Sequence, residues 1–264
     1  MQVRAKKSLG QHFLRDKNIA LRIVNLLEAD GVGDIIEVGP GTGVLSGYLL
    51  ERFGKLYHAV EVDHESVEYL KENLPELGPR IHSVDFLKFD LSEFFKNDLF
   101  IIGNFPYNIS SQILFRVLLY RKQVKEVVGM FQKEVARRIS TGPGSKEYGI
   151  LSVLLGAFYD MSYSFTVSEK VFSPPPRVKS AVIRLERNSR EYLPCDEDLF
   201  FRIVKMGFNQ RRKTLRNSLS SLILPENRQS DILNYRPEQL SVESFFELTA
   251  FIDSQSSKTL EGVL

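Results

Sequence analysis

The apolar and polar positions of the first 185 residues follow two alternating periods. Short, largely apolar runs typical of buried strands fall at 34–38, 56–62, 81–85, 99–102, 124–130 and 178–185. Between several of these runs, apolar residues recur every three or four positions, which predicts helices at 44–52, 66–73 and 110–120. Strands interleaved with helices predict an α/β fold with a doubly wound, mostly parallel sheet and an antiparallel edge strand.

This pattern changes near residues 186–194, which are charged, polar and proline-bearing. Such a shift predicts a domain boundary at 188/189. Beyond it no strand pattern occurs, and helical spacing at 200–208 is followed by a second predicted helix that opens at 209–216. The sequence therefore predicts an α/β domain over 1–188 and a small all-α domain over 189–264.

The first predicted strand runs directly into a glycine-rich turn at 39–43 and then into a helix. Glycines let a ligand approach the backbone, and a helix start presents free N–H groups, so this is the entry of a nucleotide-type site. A dinucleotide fingerprint needs glycine at position 44, where the chain has Val44, and this disfavours NAD. Glu61 and Asp85 end the next two predicted strands, where Glu61 suits ribose hydroxyls and Asp85 an exocyclic amine.

The predicted strand at 99–102 ends in a polar and aromatic group. Asn104 offers hydrogen-bond donors and an acceptor, Pro106 fixes the backbone, and Tyr107 supplies a flat face. Together they suit a planar group that bears an amine. These residues alone leave adenine, cytosine and a glutamine side chain open.

The composition narrows the setting of this chemistry. The 264 residues carry a net charge of only +2, so a nucleic-acid role has to rest on where the cations cluster. Cys195 is the only cysteine, which excludes an internal disulfide and favours a reducing compartment. The four histidines have no ligand spacing with it, so no metal is expected. Neither a membrane-spanning tract nor a secretory apolar region is found in the sequence.

Basic residues cluster in two segments. Arg4, Lys6 and Lys7 precede a polar and aromatic stretch, and four cations lie within residues 211–216. A basic cluster is either solvated surface or a phosphate-binding patch. The amino-terminal cluster is interpreted as solvated surface. For the cluster at 211–216, solvated surface and a phosphate-binding patch are equally favoured.

Six motifs distributed along the chain carry a family resemblance. They lie at 11–14, 37–43, 104–110, 132–135, 172–178 and 208–214. Together they resemble the KsgA (RsmA) family of ribosomal RNA adenine dimethyltransferases over about 6–219. His12 stands where the family often has asparagine, and Phe105 where it often has leucine.

The resemblance implies a class I S-adenosylmethionine-dependent methyltransferase fold, with the catalytic domain over 1–188 and a helical domain that binds RNA or the ribosome over 189–264. It implies dimethylation of N6 on each of two adjacent adenosines in the 3'-terminal hairpin loop of small-subunit (16S) rRNA, late in 30S assembly. S-adenosylmethionine is then the cofactor. The resemblance also implies a cytoplasmic, monomeric protein that has no membrane partner.

Residue roles follow from the matched motifs. The resemblance implies cofactor contacts at His12, Leu14, Gly39, Gly41, Glu61, Asp85 and Asn104. It implies a target-base site at Asn104, Phe105, Pro106, Tyr107 and Phe172. It implies RNA contacts at Arg4, Lys6, Lys7, Arg137, Arg138, Arg177, Arg211, Arg212, Lys213 and Arg216.

In this interpretation the Asn104 side-chain oxygen and a backbone carbonyl at Phe105 or Pro106 accept from the adenine amine. Tyr107 stacks on the flipped base, and Phe172 covers its other face. Methyl transfer is an in-line displacement in which charge disperses, so positioning and desolvation matter most. No general base is expected.

Three alternatives share parts of this pattern. A large-subunit rRNA adenine methyltransferase of the antibiotic-resistance type has the same fold, but the basic segment at 208–216 favours the small subunit. A methyltransferase of glutamine side chains also has to activate a nitrogen whose lone pair is delocalised, but it has less use for that basic segment. A mainly non-catalytic ribosome-assembly factor is disfavoured by the intact glycine turn, Glu61, Asp85 and Asn104.

Overall fold

A computed structural model describes residues 3–29 and 33–261. Its strands are β1 (Phe13–Leu14), β2 (Asp34–Val38), β3 (Tyr57–Glu61), β4 (Ile81–Ser83), β5 (Leu99–Asn104), β6 (Val124–Gln132), β7 (Tyr159–Val167), β8 (Phe172–Ser173) and β9 (Ser180–Arg187). Its α-helices are α1 (Lys17–Val24), α2 (Ser46–Phe53), α3 (His64–Asn73), α4 (Leu91–Phe94), α5 (Ser110–Leu119), α6 (Lys133–Ser140), α7 (Ile150–Gly156), α8 (Glu197–Asn209), α9 (Leu215–Ser218) and α10 (Val242–Glu261).

The main sheet has the strand order β4-β3-β2-β5-β6-β9-β7. Strands β2 to β6 pair in parallel, and β9 runs antiparallel to β6. The predicted α/β fold with a mostly parallel sheet is confirmed. The antiparallel strand lies one place inside the edge, because β7, a segment to which the sequence pattern assigned no strand, adds outside it.

A separate two-stranded ladder joins β1 to β8. Phe13 pairs with Ser173 and Leu14 with Phe172, in antiparallel orientation. This ladder holds the amino-terminal segment beside the proline-rich segment 172–176. The two segments are more than 150 residues apart in the sequence, and only the tertiary fold brings them together.

The chain divides into two compact units. The first consists of Met1–Arg137 and Asp160–Arg187, and the second of Arg138–Tyr159 and Asn188–Leu264. Helix α7 therefore groups with the carboxyl-terminal helices, and the Gly144 N–H donates to the Glu238 carbonyl at 2.6 Å within that unit. The division of function at 188/189 stays a prediction.

The core of the first unit lies between the sheet and its helices. Its buried members come from α1, α2 and α3 and from the inward faces of β2, β3 and β6. Aspartates define two of these helix starts: Asp16 Oδ1 accepts from the N–H groups of Asn18 and Ile19, and Asp63 Oδ1 accepts from that of Glu65. Such caps satisfy backbone donors that a helix start leaves unpaired.

The second predicted helix of this segment is present, but its predicted start at residue 209 is wrong. Helix α8 ends at Asn209, and a turn follows in which the Lys213 N–H donates to the Gln210 carbonyl at 2.8 Å. Helix α9 begins only at Leu215, after an extended Thr214. Leu215 and Leu219 are fully buried, as the apolar spacing predicted, but Arg211, Arg212 and Lys213 lie in the turn.

Among the described residues, no helix combines the length and the apolar character needed to cross a membrane.

Candidate cofactor and target-base site

A cavity in the first unit opens at the carboxyl ends of the parallel strands β2, β3 and β5. Its lining includes nine of the residues that the sequence singled out, together with the amino-terminal segment 9–13. The predicted members that line it are His12, Gly39, Gly41, Glu61, Asp85, Asn104, Phe105, Pro106 and Tyr107. Parallel strands end at one edge of a sheet, which is why these distant positions meet.

The side of the cavity formed by β2, β3 and β4 is called the cofactor half here. Glu61 is 4% exposed, and its two oxygens accept from the backbone N–H groups of Gly41 at 3.1 Å and Asp63 at 2.9 Å. Burial raises the pKa of the Glu61 carboxyl, and these two hydrogen bonds lower it in part. The carboxylate is therefore fixed in place before any ligand enters.

The glycine turn is closely packed under this carboxylate. Gly41 has a φ of 57°, and a Cβ there would lie 2.7 Å from Phe13 Cε1. Only glycine combines that backbone conformation with that close approach. The turn therefore offers a backbone cradle, and Glu61 beside it offers acceptors for hydroxyl groups.

Asp85 lies in the loop after β4 and lines the same cavity. Its Oδ1 accepts from the Leu87 N–H at 2.9 Å, which orients the carboxylate and leaves Oδ2 for another donor. This arrangement matches the predicted acceptor for an exocyclic amine.

A second buried carboxylate, Glu37, lies beneath the glycine turn and does not line the cavity. It is 1% exposed and accepts from Ser46 Oγ at 2.7 Å and Tyr57 Oη at 2.5 Å. Burial raises the pKa of Glu37 to about 7. These contacts join β2 to α2 and β3, so Glu37 has a structural role.

The amino-terminal segment is fastened to the cofactor half through Asp63. Lys6 Nζ donates to Asp63 Oδ1, and Gln11 Nε2 donates to Asp63 Oδ2 at 3.0 Å. The Gln11 side-chain oxygen also accepts from the Lys6 N–H at 2.8 Å. Lys6 is further paired with Glu65 at 3.2 Å, and these pairs raise the pKa of its ammonium group. Lys6, predicted as an RNA contact, is thus engaged within the protein.

The side of the cavity formed by residues 104–107 together with His12 is called the target half. Asn104 Nδ2 donates to the His12 carbonyl at 2.8 Å, which leaves Asn104 Oδ1 to accept. The Phe105 N–H donates to the Met130 carbonyl at 3.2 Å. The Pro106 carbonyl accepts from the Ile109 N–H at 3.2 Å, whereas the Phe105 carbonyl has no donor among the described residues.

Tyr107 is positioned by contacts on two sides. Its hydroxyl group hydrogen-bonds to Ser180 Oγ, and its ring lies beside the His12 ring, with centroids 5.4 Å apart and planes tilted by 30°. His12 Nδ1 in turn lies 2.8 Å from the Pro174 carbonyl oxygen. Burial raises the pKa of the Tyr107 hydroxyl, so the neutral phenol is favoured.

Two predicted members do not reach the cavity. Phe172 is 4% exposed and Leu14 is 2% exposed, and both pack in the hydrophobic core. Neither side chain belongs to the cavity lining. Each is a partner in the β1–β8 ladder, where an inward apolar side chain stabilises the strand pair. We therefore leave the Phe172 ring out of the target half.

The predicted RNA contacts are placed in different ways. Arg4, Lys7, Arg177, Arg212 and Lys213 are exposed, and Arg137 and Arg138 are exposed on α6. Arg211 donates to the Ser145 carbonyl at 3.0 Å, and Arg216 donates to Asn234 Oδ1 at 2.6 Å. Lys6, Arg211 and Arg216 therefore have structural contacts of their own.

Sequence reasoning missed the fastening through Asp63. Gln11 lies in a motif that the sequence brought out, but nothing in the local pattern links it to a carboxylate 52 residues away. Val62 and Leu87 also line the cavity and were not singled out. Val62 directly follows the end of β3, which was an available signal, whereas Leu87 lies four residues beyond the end of β4. Among the described residues, no group of three His, Cys, Asp or Glu side chains is arranged to hold a metal ion.

Comparisons with known proteins agree over most of the chain. The family model described as ribosomal RNA adenine dimethylase matches residues 2–254. The chain is 54% identical over 257 residues to ribosomal RNA small subunit methyltransferase A of Cytophaga hutchinsonii, covering 96% of this chain and 99% of the relative. It is 55% identical over 255 residues to the protein of the same name from Flavobacterium johnsoniae, covering 96% of this chain and 97% of the relative.

Two solved structures share the fold. A dimethyladenosine transferase from Plasmodium falciparum superposes with a TM-score of 0.79 at 24% identity, over 93% of this chain and 98% of that one. The 23S rRNA methyltransferase ErmE superposes with a TM-score of 0.66 at 24% identity, over 90% and 99%.

Proposed function

The chain belongs to the ribosomal RNA adenine dimethylase family, and from that premise we propose how its site performs the reaction and on which RNA. It is an S-adenosylmethionine-dependent rRNA adenine dimethyltransferase. We propose that it dimethylates two adjacent adenosines in the 3'-terminal hairpin loop of 16S rRNA. We also propose that it acts as a cytoplasmic monomer on the assembling 30S particle.

The fixed amide of Asn104 is the observation that carries the mechanism. Its Nδ2 is held by the His12 carbonyl, so Oδ1 is presented as an acceptor at the end of β5. An adenine N6 lone pair is delocalised into the ring, and acceptors on its N–H groups favour a more pyramidal, nucleophilic nitrogen. Asn104 Oδ1 and the Phe105 carbonyl supply those acceptors. The Phe105 carbonyl is preferred to the Pro106 carbonyl because the latter already accepts from the Ile109 N–H.

Tyr107 supplies the face on which the flipped base stacks. Its ring is held by Ser180 and lies beside His12, so little conformational freedom remains to be lost when a base arrives. Because the nucleophile is a neutral amine and the transfer disperses charge, orientation and exclusion of water carry the rate. No residue is assigned as a general base.

The cofactor half has the chemistry that S-adenosylmethionine requires. Glu61, oriented by two backbone N–H groups, would hold the ribose hydroxyls, and Asp85 Oδ2 would accept from the adenine amine. Gly39 and Gly41 allow close approach of the methionine end to the backbone. When bound, the cofactor supplies an electrophilic methyl group on a sulfonium. Acidic side chains around the cavity are compatible with that positive charge.

RNA is contacted by the cations that have no structural task. Arg4, Lys7, Arg177, Arg212 and Lys213 are exposed and are assigned to phosphate contacts. Lys6, Arg211 and Arg216 are assigned instead to holding the protein's own segments, on the contacts given above. Arg137 and Arg138, which are exposed on α6, also remain proposed RNA contacts, so the ten predicted cations are narrowed to seven.

One experiment tests this proposal. The full-length protein is incubated with labelled S-adenosylmethionine and under-methylated small subunits, and the modified nucleotides are mapped. Two adjacent dimethylated adenosines near the 3' end of 16S rRNA are expected, and fully methylated small subunits should accept no label. Label confined to large-subunit RNA, or to protein, would overturn the small-subunit assignment.

A further inference from the structure

A groove lies beside the glycine turn, on the opposite side of Phe13 from the cofactor cavity. Two adjoining depressions of about 500 and 650 Å³ form it, and both are lined by Arg15, Thr42 and Tyr69. We call it the basic groove. Volumes of this size are typical of sites that bind small organic groups. All of its lining residues belong to the first unit.

Positive charge dominates the basic groove. Arg4, Arg15 and Lys17 line it and are exposed. Within the part of the chain that the structure describes, the side chains of these three cations make no hydrogen bond or ion pair. Glu51 is the one carboxylate among the lining residues. Three cations without protein partners predict an anionic ligand, and arginine in particular matches the geometry of a phosphate.

Two tyrosine rings line the groove together with these cations. Tyr69 lines both depressions and Tyr48 lines one, and each is partly exposed. Rings that offer a stacking face beside cations that neutralise phosphates are typical of sites for single-stranded nucleic acid. A sequence-independent phosphate patch would have no use for the rings.

The basic groove adjoins the target half. Pro174 lines one end of the groove, and its carbonyl oxygen lies 2.8 Å from His12 Nδ1 in the target half. Phe13 lines both the groove and the cofactor cavity, and its ring packs against Gly41 between them. Phe13 thus lies between the groove and the cofactor cavity, and Pro174 connects the groove to His12 in the target half.

The two sites also differ in charge. The cofactor cavity is lined by the carboxyl groups of Glu61 and Asp85, whereas the groove is lined by three cations. We propose that the basic groove binds the single-stranded nucleotides that flank the target adenosine, with phosphates on Arg15 and Lys17 and a base stacked on Tyr69. This inference rests on the proposed function and adds a second RNA contact surface to it.

The test compares two double variants of the full-length protein. Arg15→Met with Lys17→Met removes two charges from the groove. Lys55→Met with Lys122→Met removes two exposed charges near the amino ends of β3 and β6 and serves as the matched control. Binding to under-methylated small subunits is measured between 50 and 200 mM salt, and binding of S-adenosylmethionine is measured alone.

The groove variant should bind small subunits about tenfold more weakly, and its plot of log affinity against log salt should be shallower by about 1.4, because each single-strand phosphate contact contributes about 0.7. The control variant should match the wild type in both. Cofactor affinity should be unchanged in both variants. Equal behaviour of the groove and control variants, or a loss of cofactor affinity in the groove variant, overturns the inference.

Substitution of Tyr69 separates stacking from charge. Tyr69→Leu should weaken small-subunit binding about tenfold with no change in the salt dependence, and Tyr69→Phe should restore it, since the ring is what stacks. Loss in both variants would contradict stacking. A wild-type enzyme that methylates no small-subunit RNA would refute the proposed function, whereas normal wild-type activity with unaffected groove variants would refute this inference alone.

Discussion

The two halves of the cavity are built by contacts of very different reach. In the cofactor half, Glu61 is held by residues 2 and 20 positions away, and Asp85 by a residue 2 positions away. In the target half, Asn104 is held by a residue 92 positions away, Tyr107 by one 73 away, and His12 by one 162 away. The carboxylates of the first half are therefore oriented by backbone groups nearby in the sequence, whereas the side chains of the second half are oriented by segments that are distant in the sequence.

This difference suggests a division of roles. A site formed by strand ends and a tight turn is rigid and suits ground-state binding of a cofactor. In a site completed by distant segments, the positions of the reacting groups depend on how each segment packs. Misplacement of a reacting group by about 1 Å is enough to lower a rate about 10²-fold. Changes in the target half are therefore expected to act on the rate of transfer, and changes in the cofactor half on cofactor affinity.

The largest effect is expected from Asn104→Ala, which removes an acceptor from the target half. The rate at saturating substrates should fall about 10³-fold, because the amine loses its oriented acceptor. Affinity for S-adenosylmethionine should fall much less. Single-turnover methyl transfer and calorimetry separate the two, with the exposed Asn97→Ala as control. Substantial activity in a folded Asn104→Ala protein would remove Asn104 from the mechanism.

The next largest effect concerns the free energy of unfolding, to which the buried carboxyl of Glu37 contributes in a pH-dependent way. The folded pKa of Glu37 is raised to about 7, so between about pH 4.5 and 7 the folded carboxyl keeps a proton that the unfolded chain releases. Its contribution to stability is therefore full below this window and is lost as the pH rises through it. A shift of this size corresponds to about 3 kcal/mol.

Glu37→Gln cannot ionise and should lack this loss. Urea unfolding at pH 4.5 and 8 should show that the stability of the variant relative to the wild type increases by about 3 kcal/mol between the two pH values. The exposed Glu76→Gln serves as control and should follow the wild type. A constant difference between the Glu37→Gln protein and the wild type at both pH values would contradict the raised pKa.

A smaller effect is expected from Glu61→Gln in the cofactor half. The amide keeps the size of the side chain but presents a donor where two backbone N–H groups need acceptors. The dissociation constant for S-adenosylmethionine should rise about thirtyfold, with the rate at saturating cofactor within about threefold of the wild type. Calorimetry and saturation kinetics measure both. A lower rate of methyl transfer with unchanged affinity for S-adenosylmethionine would contradict the assignment of cofactor binding to one half and of transfer to the other.

The smallest effect is expected at the fastening of the amino-terminal segment. Lys6→Met removes the ion pairs to Asp63 and Glu65, and should raise KM for S-adenosylmethionine about threefold with kcat unchanged. Lys6→Arg should restore the wild-type value. Lys7→Met, an exposed neighbour, is the matched control and should leave this KM unchanged. A reduced RNA affinity in the Lys6→Met protein, with normal cofactor KM, would return Lys6 to the RNA contacts.

The sequence by itself determined most of the sheet and of the cofactor half. The strand at 34–38 was predicted at its observed bounds, and Glu61, Asp85 and the glycine turn all line the cavity. These features depend on local periodicity, on turn chemistry and on the rule that parallel strands end at one edge, and all of these can be read within about 50 residues.

Only the tertiary structure decided the remaining features. Periodicity did not find β7, and it began the second helix at residue 209, whereas a turn over Arg211–Lys213 precedes the observed start at Leu215. Nothing in the sequence distinguishes Lys6, which is paired with Asp63, from the exposed Lys7, or predicts that the Phe172 ring points into the core. Side-chain partners across the fold are set by which segments dock against each other, and a basic or aromatic residue has the same local signature whichever way it points.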